Sequence, residues 1–161
     1  MNNDNRNFVV KELVSLIEAG NAHASFEQSV AEVSIDLITV VPEHLPYSIW
    51  QMTEHMRIAQ WDIVEFCLGS DHPLLKWPDD YWPAAGEEIG KDKWEITLES
   101  IRKDRERFID LLKDEKNDLY HPFAHGEGQS LFREAVVIAD HNSYHIGQLV
   151  LLRRLLGDWK W

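Results

Sequence analysis

Apolar positions recur three and four residues apart along most of the chain, the spacing of helices that bury one face. Phe8, Val9, Leu13, Leu16 and Ile17 carry the period from about Asn7 to Ala19, where Gly20-Asn21 supplies a left-handed stop. Ser25 with Gln28 three residues later has capping-box spacing, which predicts a second helical piece over about 26–33. The same spacing at Ser48 and Gln51 opens a longer helix through Trp50, Met52, His55, Met56, Ala59, Ile63 and Phe66 to Gly69. Trp94, Leu98, Ile101, Arg105, Phe108, Leu111 and Leu112 mark a further helix, with Asp92 and Glu95 near its start. The last helix runs from about Ser130 to Leu156 and stops at Gly157. Its inner stripe reads Leu131, Ala135, Ile138, His141, His145, Gln148, Leu152 and Leu155.

The connections carry their own signals. From Ser34 to Pro42 the run Ile35, Leu37, Ile38, Val40 and Val41 is strand-like, but no second strand exists for it to pair with, so it reads as a packed connector. Asp71 to Gly90 is a long loop holding His72-Pro73, Trp77-Pro78, Tyr81-Trp82-Pro83 and Ala84-Ala85-Gly86; it either roofs a pocket or plugs the end of a bundle. A second loop, Asp118 to Gln129, holds His121 and His125, which Pro122 and the neighbouring glycines keep from lining up on a helix. The run Arg102-Lys103-Asp104-Arg105-Glu106-Arg107 is mixed in sign and reads as a solvated face. Together these elements predict an all-α fold: an antiparallel four-helix bundle forming one domain over 1–161, with a long loop between its second and third bundle helices.

Composition narrows the partners. Hydrophobic residues at 44% and charged residues at 27% suit an ordinary globular core. A net charge of −12 argues against nucleic acid and anionic membranes, which need a basic surface. The polar start at Met1-Asn2-Asn3-Asp4 and the lack of any apolar run near about 18 residues predict a cytoplasmic protein. One cysteine, Cys67, rules out an internal disulfide and reads as a packed thiol. The exposed aromatic tail with Trp159 and Trp161 permits a homodimer.

The candidate chemistry lies in the histidines. His141 and His145 are four residues apart in a helix, so both rings reach one point beside it. His55 shares its helix face with Met52, Ala59, Asp62 and Phe66 and points to the same interior. Three neutral imidazoles suit a borderline divalent ion, with Zn or Ni foremost, and leave positions open for water or a small-molecule substrate. The competing reading is a buried polar network in a bundle that binds a ligand or partner without catalysis. Around the three stand Asp62 as an acceptor for an imidazole N–H, Asp140, Tyr144 and Gln148 as neighbours, and His23 as an acid/base, a fourth ligand or a helix cap. Glu54 follows a candidate ligand but points about 100° away from it.

The segment Ser48-Ile49-Trp50-Gln51-Met52-Thr53-Glu54-His55, together with His141-x-x-x-His145-x-x-Gln148-Leu149, resembles the DinB/YfiT-like superfamily of metalloenzymes. The similarity extends over nearly the whole chain, including Ile58-Ala59-Gln60-Trp61-Asp62 and the loop Lys76-Trp77-Pro78-Asp79-Asp80-Tyr81-Trp82-Pro83. The resemblance implies a four-helix bundle, a tri-histidine metal site made by His55, His141 and His145, and a homodimer. It also implies either transfer or isomerisation chemistry using a low-molecular-weight thiol, or hydrolysis.

Overall fold

The computed structural model describes residues 3–69, 71, 73–84 and 86–160. Met1, Asn2, His72, Ala85 and Trp161, named above, lie outside the described residues. Five α-helices are present among the described residues: α1 (Asn3–Ala19), α2 (Phe26–Val30), α3 (Ile49–Leu68), α4 (Lys91–Lys113) and α5 (Leu131–Leu155). Among the described residues β pairing is limited to one isolated bridge, Pro122 with Ser130.

Local chemistry sets most helix ends. Both expected capping boxes form: the Ser25 and Ser48 hydroxyls accept from the backbone N–H of Gln28 and Gln51, whose side chains accept from the cap N–H in return. Helix α1 starts earlier than its apolar period, at Asn3, with Asp4 favourably placed in the first turn. It stops where Gly20 (φ 69°) and Asn21 (φ 43°) turn left-handed. Helix α2 is shorter than expected, because Ala31 is already extended and Glu32 has φ 53°. The connector packs over part of its run: a 3-10 turn spans Ile35–Leu37, Ile38 is fully buried with its carbonyl accepting from the Trp50 N–H at 2.7 Å, and Val40 and Val41 are exposed.

Helices α1, α3, α4 and α5 form a ring in which α3 touches α4 and α5, and α1 touches α5 and α4. Directions follow from the cross-contacts. Along α3 and α4 the pairs Glu54–Thr97, Gln60–Ile101 and Glu65–Arg107 advance together, so these neighbours are parallel. Arg6 reaches the carbonyls of Leu112, Asp114 and Asn117 at the far end of α4, so α1 and α4 are antiparallel. Helix α5 opposes α3: Val64 shares a core with Ala135 and Ile138, whereas Ile49 and Met52 share one with Leu149 and Leu152. The bundle is therefore antiparallel across α3–α5 and parallel across α3–α4. A parallel neighbour forces the chain back along the whole of α3, about 30 Å at 1.5 Å per residue. The long loop after Gly69 is that crossover.

Two apolar cores result. One gathers Trp50, Met52, Met56, Trp94, Leu98, Leu149 and Leu152; the other gathers Val10, Leu13, Val64, Phe108, Leu112, Leu131 and Ile138. A polar belt separates them at mid-height. There buried Gln60 donates to the Ile101 carbonyl at 2.7 Å and accepts from Asn142 at 3.2 Å, linking three helices.

Three expectations are corrected by packing. Leu155 is 57% exposed: at 3.6 residues per turn the stripe through Leu149 and Leu152 continues to Leu156, which packs on the core. The charged run of α4 is not merely solvated, because it faces neighbouring helices. Asp104 is buried, Arg102 and Arg105 hold Glu27 at 2.8 and 2.9 Å, and Arg107 reaches Glu65 at 2.7 Å. Trp159 is tucked in, its ring 5.1 Å from the guanidinium of buried Arg153. Arg153 also donates to the Asp158 carboxylate at 2.9 Å and the Ser29 carbonyl at 3.1 Å.

Arg153→Ala takes the cation from a largely buried carboxylate and the donor from the buried Ser29 carbonyl, and should cost about 3–5 kcal/mol in urea unfolding. Ser48→Ala removes one half of a capping box and leaves the Gln51 side chain accepting from the cap N–H, so it should cost only about 1 kcal/mol in the same assay.

Candidate metal centre

His55 lies near the middle of α3, 2% exposed, on the buried face that carries Met52, Met56 and Ala59. Because α5 runs the other way, His141 and His145 meet it at mid-height. Ring centroids lie 5.1 Å apart for His55–His141, 4.8 Å for His55–His145 and 4.3 Å for His141–His145. One ring nitrogen from each lies within 4.8 Å of the other two, so the three can hold a metal ion.

The orientation of the rings is set from outside. The Tyr81 carbonyl lies 2.9 Å from His55 Nδ1. A carbonyl only accepts, so Nδ1 carries the proton and Nε2 presents a bare lone pair to the cluster. His141 Nε2 lies 3.2 Å from that atom and donates to it. His145 Nδ1 lies 2.6 Å from Gln148 Oε1, while Gln148 Nε2 donates to the Tyr47 hydroxyl at 2.8 Å. The chain Tyr47–Gln148–His145 thus turns the other nitrogen of His145 inward. The Trp82 ring lies parallel to His55 at 4.0 Å and covers its face.

Burial disfavours the imidazolium form at all three positions. It pushes His141 down to about 4, helped by the nearby His145 and His55. Burial lowers His55 against the opposing pull of the Tyr81 carbonyl, and lowers His145 against that of Gln148. At neutral pH the three rings are therefore uncharged, the state in which imidazole ligates a metal.

The cluster forms the floor of an open cleft of about 440 Å³. Its walls are Ala59, Asp62 and Ile63 of α3, Tyr144 of α5, and Trp77, Tyr81 and Trp82 of the crossover. The crossover thus roofs a pocket. Among the three clustered histidines the ring bonds go to the Tyr81 carbonyl, to Gln148 and to one another, while Asp62 Oδ2 accepts from the Tyr81 hydroxyl at 2.7 Å. Burial and this carboxylate both raise the Tyr81 hydroxyl well above its usual range, so it stays protonated. Tyr81 therefore joins His55, through its carbonyl, to Asp62, through its hydroxyl.

The remaining sequence candidates divide. Gln148 touches His145, and Tyr144 stands at the cleft rim, 64% exposed, with its ring 4.9 Å from that of His145. Asp140 is exposed and lies outside the cleft, because a residue adjacent to His141 is turned about 100° from it. His23 also stays away: it bonds the Ala24 carbonyl at 2.8 Å and the Ser143 hydroxyl at 3.0 Å. Its ring lies where a Cβ on Gly20 would come within 2.5 Å. Glu54 faces Arg57 and Thr97. His125 bonds the Phe66 carbonyl, and the Cys67 thiol is buried and pushed up by that burial. Sequence reasoning did not single out Tyr47 or the Tyr81 carbonyl, since a backbone acceptor has no sequence signal and Tyr47 lies just outside a cap with no pattern to mark it.

Neither a curated protein nor a solved structure matches the chain. The model of the DinB superfamily matches residues 20–149, a stretch that holds α2, α3, α4 and all three histidines of the cluster. The chain belongs to the DinB superfamily.

Proposed function

We propose that this protein is a metal-dependent enzyme acting on a small molecule, with one divalent transition ion held by His55, His141 and His145. A single observation carries the reading: three uncharged imidazoles converge on one point at the floor of an open cleft, two of them with Nδ1–H fixed by outside acceptors. Zn and Ni suit such a donor set. A bound ion would supply a lowered pKa to a coordinated water or thiol, which serves hydrolysis or S-transfer alike. The chain's own groups do the rest. Tyr81 and Gln148 hold the rings of His55 and His145 in one tautomer, Trp82 keeps water from the face of His55, and Asp62 holds the Tyr81 hydroxyl at the cleft wall.

One observation favours a second reading, a structural histidine network in a non-catalytic bundle: His141 and His55 already satisfy one another at 3.2 Å. Metal analysis of untagged protein separates the two. The enzyme reading expects near-stoichiometric metal that His145→Ala abolishes while the helical circular dichroism is kept. A metal-free protein that is indifferent to chelator leaves the network reading standing.

Gln148→Leu removes the acceptor that orients His145 and should weaken metal affinity by about 10–100-fold, with full loading still reached at excess metal. Competition against a chromophoric chelator measures it.

The apo protein should also lose stability in acid. His141 is held at about 4 when folded, below the ordinary 6.5, so the unfolded chain binds more protons between those values. Stability is then present above pH 6.5 and falls as pH drops toward 4. Urea titrations of metal-free protein should show that slope, and His141→Asn should flatten it.

A further inference from the structure

The cleft above the histidines is walled unlike a site for a highly charged ligand. Ala59 and Ile63 form one side, Trp77, Tyr81 and Trp82 the roof, and Tyr144 the rim. Among the described residues no lysine or arginine lines it, and its one carboxylate, Asp62, already accepts from Tyr81. With its donor atom on the ion, a ligand whose body also carries a carboxylate or phosphate would lose water there without gaining a lysine or arginine from the described walls. The surrounding charge of −12 adds repulsion. Flat apolar groups find the opposite. The indole of Trp77 is 72% exposed at the mouth, 5.4 Å from and edge-on to Tyr81, while Trp82 is fixed against His55. Such faces and edges accept a planar ring.

We propose that this cleft selects ligands with an uncharged, flat apolar body, which Trp77 and Ile63 embrace while a single donor atom reaches the histidines, and that it rejects carboxylate-bearing bodies. The proposal rests on the metal-centre reading for its donor atom, but the selection is made by the walls. It makes Trp77 the residue that sets specificity. It also separates two classes of thiol with the same sulfur: an aromatic thiol fits, whereas glutathione, with two carboxylates, does not.

The test compares benzyl mercaptan with glutathione on the full-length protein loaded with cobalt(II), following the sulfur-to-cobalt charge-transfer band. Benzyl mercaptan should bind at least about tenfold more tightly than glutathione. Trp77→Ala should weaken benzyl mercaptan by a factor of about three to ten and leave both glutathione binding and cobalt content unchanged. Equal or tighter binding of glutathione to cobalt-loaded protein overturns the proposal and leaves the metal centre intact. If cobalt does not bind, the metal-centre reading falls, and the indole N–H resonances of metal-free protein decide the selection by itself. Shifts of the Trp77 signal, assigned with the Trp77→Ala variant, on adding benzyl alcohol but not benzoate uphold it; no shift with benzyl alcohol, or an equal one with benzoate, overturns it.

Discussion

The bond from His55 Nδ1–H to the Tyr81 carbonyl is the constraint on which the centre depends. It fixes the tautomer of the deepest imidazole, and with it which nitrogen faces the other two rings. It exists because α3 and α4 are parallel neighbours, which sends the intervening chain back along α3 instead of turning at its end. The crossover thereby lays Tyr81 and Trp82 against the middle of the helix, where His55 stands. Fold direction and ring orientation are one consequence of one topology.

The same mid-height explains how so many polar side chains are tolerated inside. Two apolar cores lie above and below, each continuous across four helices. Between them Gln60, Asn142, His55, His141, His145 and Gln148 form a layer in which these groups bond to one another, to a backbone carbonyl or to a tyrosine. A buried donor left without an acceptor costs about 1–3 kcal/mol, so the layer holds together as a set. Its one open side faces the cleft, where a ligand can reach the imidazoles.

Charge works at two ranges. The acidic surface sets the field around the cleft, while the arginines of α4 are engaged within the fold: Arg102 and Arg105 clamp α2 through Glu27, and Arg107 ties α4 to α3 through Glu65. Arg153 and Asp158 do the same at the end of α5, 4% and 11% exposed at their side chains. Desolvated pairs of this kind fix how helices meet more than they add stability.

The sequence by itself determined what depends on near neighbours. Helical periodicity gave four long helices, serine and glutamine three apart gave two caps, and four-residue spacing put His141 and His145 on one face. It also placed His55 on an inner stripe, since burial of that stripe is a property of the helix alone. Tertiary structure decided what depends on distant residues. The parallel course of α4 follows from where the crossover lands, and the acceptor for His55 is a backbone carbonyl 26 residues away, which no side-chain pattern records. His23 and Asp140 carried suitable chemistry, yet one is held by Ala24 and Ser143 and the other is turned outward. Chemical type is written along the chain, but which groups share a cavity is settled only when helices of defined direction pack.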